Sequence, residues 1–173
     1  MKKENNIIFM DGEFTTLDPY KTNLVSIGLI KSNNEELYIE LDFDGETDPW
    51  VNSNVIPKLK GKKIKPEKAV KMIRDFIGNS KPYLVTYVNQ FDWIGICKLF
   101  NVNNAVDIKE KIPFFWIPID FATILFNKGI KPGISLKNIA HKYHIDISNL
   151  NTHNALDDAK ILKIIYDKLY LLN

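Results

Sequence analysis

Cysteine is almost missing from this 173-residue chain. Cys97 stands alone, which excludes an internal disulfide framework and a thiolate zinc site and fits a reducing compartment. With Ile96 and Leu99 near it, the thiol is expected to be buried and inert. Arginine is equally scarce: Arg74 has no second, so contacts to phosphate would fall to lysine and to backbone amides. Long apolar runs are missing too. The IIFM stretch after MKKENN is too brief for a signal peptide, and Pro113–Phe126, interrupted by Asp120 and two prolines, is too short to span a bilayer. A cytoplasmic protein with no membrane partner is therefore expected. The chain shows no internal repeat, no glycine-rich phosphate loop and no G-x-S-x-G elbow.

What is present suits one domain over residues 1–173, since 45% hydrophobic content at this length can bury one sizeable core. A net charge of +2 decides nothing about partners. Lys58, Lys60, Lys62, Lys63 and Lys65 crowd one stretch, and a solvated loop is the plainer reading because charge runs usually face water.

The pattern THNALDDAK at residues 152–160 introduces a long apolar-periodic segment running to Leu172. Within a helix, five residues turn the chain by about 140°, so His153 and Asp158 could not share a face there. His153 should therefore precede the helix. Asn154 then serves as N-cap, Asp157 falls at N3 as in a capping box, and Asp158 lies in the first turn. A loop imidazole beside a fixed carboxylate suits activation of water near a metal. Taken singly, the same residues read equally well as macrodipole compensation and a surface histidine.

Residues 6–13, NIIFMDGE, read as a buried strand ending in two acids. Asp11 and Glu13 lie two apart and so project from one face, where they repel unless a cation or solvent compensates. Residues 23–31 and 36–43 continue as strands joined by an antiparallel hairpin. Residues 50–59 suit a short helix or flap. Pro66 starts an amphipathic helix ending near Gly78, and the apolar run Tyr83–Val88 reads as a central parallel strand reached by a crossover. Asp92 follows at a strand-to-helix switch, where it can cap the helix, face a ligand, or do both. Residues 114–119, FFWIPI, suggest an edge strand; Asp120 and Ser135 are natural caps of the next two helices. Phe114, Phe115 and Trp116 suit a core or subunit interface better than base stacking. His141 and His144 read as ordinary helix-end residues.

In order, then, come Asp11-Gly12-Glu13, Phe91-Asp92, and His153 through Ala159 in the spacing H-x-A-x-x-D-A. These motifs resemble those of the DEDDh branch of the RNase H-like 3′-to-5′ exonucleases. The branch with tyrosine in place of histidine does not fit, because Asn154 occupies the matching position. DGEF, SIG, PWV..NVIPKL at 49–59, FDWIGICKLF and HNALDDA further resemble the small bacterial and phage exoribonucleases of the mycobacterial type, over nearly the whole chain. Two departures stand out. Phe14 replaces a threonine common after the glutamate, and Tyr87-Val88 replaces a His-Asn pair, so that pair's roles are not carried over.

The resemblance implies an α/β, RNase H-like fold: a mixed five-stranded sheet of order 3-2-1-4-5 flanked by helices. It implies that Asp11, Glu13, Asp92 and Asp158 hold two divalent cations, Mg²⁺ or Mn²⁺, and that His153 is the general base. Gly12, Phe14 and Asn89 become candidate substrate contacts. The expected activity is exoribonucleolytic release of nucleoside 5′-monophosphates from RNA 3′ ends. A DNA exonuclease and a non-catalytic nucleic-acid binding module remain alternatives, because the motifs act on the phosphodiester and not on the sugar. Asp157 competes with Asp158 as ligand. Related exonucleases are often dimers, so a homodimer through the aromatic cluster is also expected.

Overall fold

A computed structural model describes residues 6–131 and 133–170. Its centre is a five-stranded sheet of order β3-β2-β1-β4-β5, formed by β1 (Ile7–Phe14), β2 (Leu24–Lys31), β3 (Glu36–Glu40), β4 (Tyr83–Thr86) and β5 (Ile119–Asp120). β1, β2 and β3 run antiparallel, whereas β4 is parallel to β1 and to β5. The expected mixed sheet and its strand order are both observed.

Strand alternation assigns the two faces. Ile7 and Phe9 of β1 face a core shared with α5 (Phe121–Asn127), α6 (Leu136–Lys142) and α7 (Ala155–Tyr170), in which Phe121, Ile139, Leu162 and Tyr166 are buried. Ile8 and Met10 face the opposite core, with Ile73 of α2 (Pro66–Ile77) and Ile96 of α3 (Gln90–Leu99). Asp11 and Glu13 continue the first row and Gly12 and Phe14 the second. The apolar pattern thus aims both acids at the α7 side of the sheet.

The first turn of α7 lies almost on the backbone of β2. A Cβ at Gly28 would come within 2.3 Å of the Ala155 carbonyl oxygen and 2.4 Å of Leu156 Cα. Gly28 is also the cross-strand partner of Asp11. The missing side chain therefore lets the start of α7 settle beside the acidic end of β1. As expected, Asn154 caps this helix, accepting from the Asp157 N–H at 3.2 Å. The Asp157 carboxylate does not complete a capping box; it accepts from the Asn151 N–H at 2.9 Å instead. The expected extension of the helix to Leu172 lies outside the described residues.

Other expectations need correction. The expected edge strand FFWIPI is present only at its last residue: Ile119–Asp120 forms edge strand β5 beside β4, and Pro118, just before it, brings no N–H to a ladder. Phe114 is fully buried in the core, while Trp116 is about half exposed at 47%. Asp92 is not the N-cap of α3; Asn89 holds that place and Asp92 lies in the first turn. Cys97 is half-buried rather than enclosed, and its burial still pushes the thiol up. α4 (Ala105–Lys111), capped by the Asn104 side chain, went unread in the sequence. Residues 49–58 form α1 (Pro49–Asn54) and a 3₁₀ turn (Ile56–Lys58), in keeping with the expected short helix. Asp120 and Ser135 cap α5 and α6 as expected. Among the described residues no helix is long and apolar enough to cross a membrane.

The close approach at Gly28 yields the first test. Gly28→Ala is expected to lower unfolding free energy by about 2 kcal/mol or more, since the obstructing atoms are backbone and cannot rotate away. Urea unfolding with an unchanged m-value checks this; a loss below about 0.5 kcal/mol would contradict the packing.

Candidate active site

A cavity of about 530 Å³ opens where the acidic end of β1 meets the segment after β4 and the loop before α7. Asp11, Gly12, Glu13, Phe14, Asp92, His153 and Asp158 all line it. Seven of the eight residues singled out in the sequence therefore converge from three distant segments. Asn89 does not: on its side the wall is made by Tyr87, Val88 and Phe91.

The carboxylates are packed against one another with little solvent. Burial, then Asp92, Asp158 and Glu13, raise the Asp11 carboxyl well above its ordinary range. Asp92 is raised chiefly by burial, against the pull of a hydrogen bond from the Gly12 N–H. Burial and Asp158 push Glu13 up to about 8, with Lys58 opposing. Asp158 is pushed up to about 6 by burial, opposed by the His153 N–H and by Lys58. Among the described residues no set of protein groups neutralises this cluster, and the buried Asp92 Oδ1 has no hydrogen-bond partner there. One ligand atom each from Glu13, His153 and Asp158 lies within 4.8 Å of the others. An orphaned buried oxygen among mutually destabilised carboxylates is what a hard divalent cation would satisfy. The residues present fit such an ion.

Gly12 is required by space. A Cβ there would lie 2.9 Å from both Leu24 Cδ2 and Phe14 Cζ and 3.2 Å from Asp92 Oδ1. Its absence lets Phe14 and Asp92 close in from the α3 side, where Phe14 also meets Phe91 with ring centroids 6.2 Å apart.

His153 sits in the loop before α7 with φ +61°, a left-handed conformation costing an L-residue about 1–2 kcal/mol. Its N–H donates to Asp158 Oδ2 at 2.7 Å, and its imidazole packs edge-to-face on Trp50 at 5.0 Å. Burial, then Lys58 and Lys137, hold the imidazole below its ordinary value, so it is neutral near pH 7. Val88 is also left-handed, at φ +62°, which is unusual for a β-branched residue. Its N–H is tied to Asp120 Oδ1 at 3.0 Å. Of the two acids of α7, Asp158 lines the cavity, while Asp157 turns to Asn151 and Lys160.

Sequence reasoning missed Leu17, Trp50 and Lys58. Leu17 and Trp50 line the cavity while staying 67% and 53% exposed, as a rim of apolar side chains. Lys58, read as one of a solvated run, instead donates its ammonium to the Thr152 carbonyl. Its place in PWV..NVIPKL gave no local signal, because the contact joins residues far apart in the chain.

No family model matches the chain, and no curated protein matches it in sequence. Solved structures do match its fold. A structure of exonuclease I superposes with TM-score 0.70 at 15% identity, covering 95% of this chain and 41% of that one. Escherichia coli exonuclease I in complex with a dT13 oligonucleotide gives TM-score 0.69 at 16% identity, over 96% of this chain and 41% of that one. Exonuclease I from Methylocaldum szegediense gives 0.69 at 13%, over 97% and 41%. The chain thus shares the RNase H-like fold of these proteins and spans about two fifths of their length.

The crowded acids have a consequence for stability. Glu13 and Asp158 bind protons more tightly when folded than their ordinary values of 4.5 and 3.8 allow unfolded. Their contribution is therefore complete below those values and is lost as pH rises through about 6 for Asp158 and about 8 for Glu13. His153 works in the opposite sense as pH falls below 6.5. In EDTA the melting temperature should fall between about pH 5 and pH 8, and Mn²⁺ should raise it more at the upper end. Asp11→Asn should flatten both responses. A Mn²⁺ response that is absent, or unaltered in Asp11→Asn, would contradict the site.

Proposed function

We propose that the chain is a metal-dependent 3′-to-5′ exonuclease of the DEDDh type, acting on RNA 3′ ends and releasing nucleoside 5′-monophosphates. The observation that carries this reading is the convergence of Asp11, Glu13, Asp92, Asp158 and His153 on one cavity. The exonuclease I fold of its solved neighbours supports the same reaction class. The chain as a whole, residues 1–173, would act as one exonuclease domain.

Asp11, Glu13, Asp92 and Asp158 would hold two divalent cations, and carboxylate oxygens favour Mg²⁺ or Mn²⁺. Bound there, such ions supply charge stabilisation for the attacking and leaving oxygens of an in-line phosphoryl displacement. His153 then takes the proton from the attacking water. Its depressed proton affinity keeps the imidazole free to accept, and its loop keeps it at the cavity while Asp158 fixes the adjoining backbone. The new bond joins water oxygen to phosphorus; the bond that breaks frees the 3′-oxygen of the shortened strand, which takes a proton from solvent to become a hydroxyl. Phe14, Leu17 and Trp50 supply apolar surface on which bases can stack without sequence preference. Gly12 serves by letting Phe14 and Asp92 approach.

RNA is proposed as substrate on the resemblance of the chain to small exoribonucleases. A DNA substrate is the second reading, favoured by the neighbours, since exonuclease I has been solved with single-stranded DNA, dT13 and dA16.

The test uses matched 5′-labelled RNA and DNA oligonucleotides with Mg²⁺, Mn²⁺ or EDTA. RNA should shorten from its 3′ end, with no reaction in EDTA. His153→Ala should lose at least about 100-fold in kcat. Asp158→Ala should be inactive while Asp157→Ala keeps most of the rate. Faster digestion of DNA would replace the substrate but keep the mechanism; binding of both without cleavage by the wild type would leave a nucleic-acid binding module.

A further inference from the structure

His153 needs to be held. A non-glycine residue at φ +61° relaxes to ordinary backbone unless its neighbours are tied. One tie is its N–H to Asp158 Oδ2 at 2.7 Å. That carboxylate also lines the acidic cavity, where a cation would compete for its electron density. The other tie is independent of the acids: the Lys58 ammonium donates to the carbonyl of Thr152, the residue immediately before the histidine.

Lys58 stands on a rigid base. It ends the 3₁₀ turn Ile56–Lys58, which follows the buried Val55. Just beyond it, the N–H groups of Lys60 and Gly61 donate to the two oxygens of the buried Glu40 carboxylate at 2.9 and 2.8 Å. Glu40 ends β3, so the hold on the loop is referred back to the sheet. The same segment carries Trp50 against the imidazole ring at 5.0 Å. Lys58 is in no ion pair among the described residues, and its charge acts on Glu13, Asp158 and His153 together.

We propose that Lys58 is the positioning residue of the general base: through the Thr152 carbonyl it fixes the backbone of residues 152–153 and so the direction of the His153 imidazole over the acidic cavity. This rests on the exonuclease reading for its effect on rate, but not for its effect on the loop. Lys58 acts through the histidine and is not itself assigned a contact with substrate.

The test compares full-length wild type, Lys58→Met, Lys58→Arg and, as a control on the exposed lysine run, Lys62→Met. Amide exchange at His153 is read by NMR, and kcat and KM are read on the oligonucleotide that the wild type cleaves. Lys58→Met should exchange the His153 amide at least about 10-fold faster. It should also lose about 10- to 100-fold in kcat with KM within about 2-fold. Lys58→Arg should recover most of both, and Lys62→Met should match wild type. Unaltered exchange at His153 in Lys58→Met overturns the proposal. So does a raised KM with unchanged kcat, which would make Lys58 a direct contact to the substrate phosphate. If the wild type cleaves no oligonucleotide the exonuclease reading fails, and exchange alone still decides whether Lys58 holds the loop.

Discussion

The contact between the first turn of α7 and the backbone of β2 at Gly28 is the constraint on which the site depends. With no side chain at that position, the Ala155 carbonyl reaches within 2.3 Å of where a Cβ would stand. Because Gly28 pairs with Asp11 across the sheet, the same contact brings the start of α7 beside Asp11 and Glu13. The opposite face has a parallel device: Gly12 lets Asp92 approach from α3. Two glycines thus set how closely acids from three segments converge.

That convergence is electrostatically unfavourable in the protein alone. Burial and mutual repulsion drive Glu13 up to about 8, and the buried Asp92 Oδ1 has no hydrogen-bond partner among the described residues. The surroundings compensate only in part, through Lys58 and through the N–H groups of Gly12 and His153. A fold that buries four carboxylates without four compensating charges gives up stability where it can gain function. Strained backbone gathers at the same place, at Val88 and His153.

Much of this was legible because it is local. Two-residue spacing puts Asp11 and Glu13 on one face, and the angular argument over five residues placed His153 outside the helix and Asp158 within it, as observed. The Asn154 cap followed from neighbouring residues alone. What could not be read depends on contacts distant in sequence. Lys58 looked like one lysine in a solvated run because nothing nearby records that the Thr152 carbonyl accepts a hydrogen bond from it. Trp50 gave no sign that it would lie against the imidazole. FFWIPI matched the composition of a strand, but its Pro118 brings no N–H to a ladder, and Phe114 entered the core instead. Asp92 was read as a cap by its position after β4, whereas the helix begins earlier and turns its carboxylate into the cavity.

The central claim is that these acids, buried together by the fold, form a divalent-cation site facing His153. Anomalous diffraction from crystals soaked in Mn²⁺ tests it most directly. Two manganese peaks about 3.5–4 Å apart are expected in this cavity, held by Asp11, Glu13, Asp92 and Asp158, with the His153 imidazole turned toward them. A fully soaked crystal with no manganese in this cavity, or with manganese bound only at acids outside it, would contradict the account.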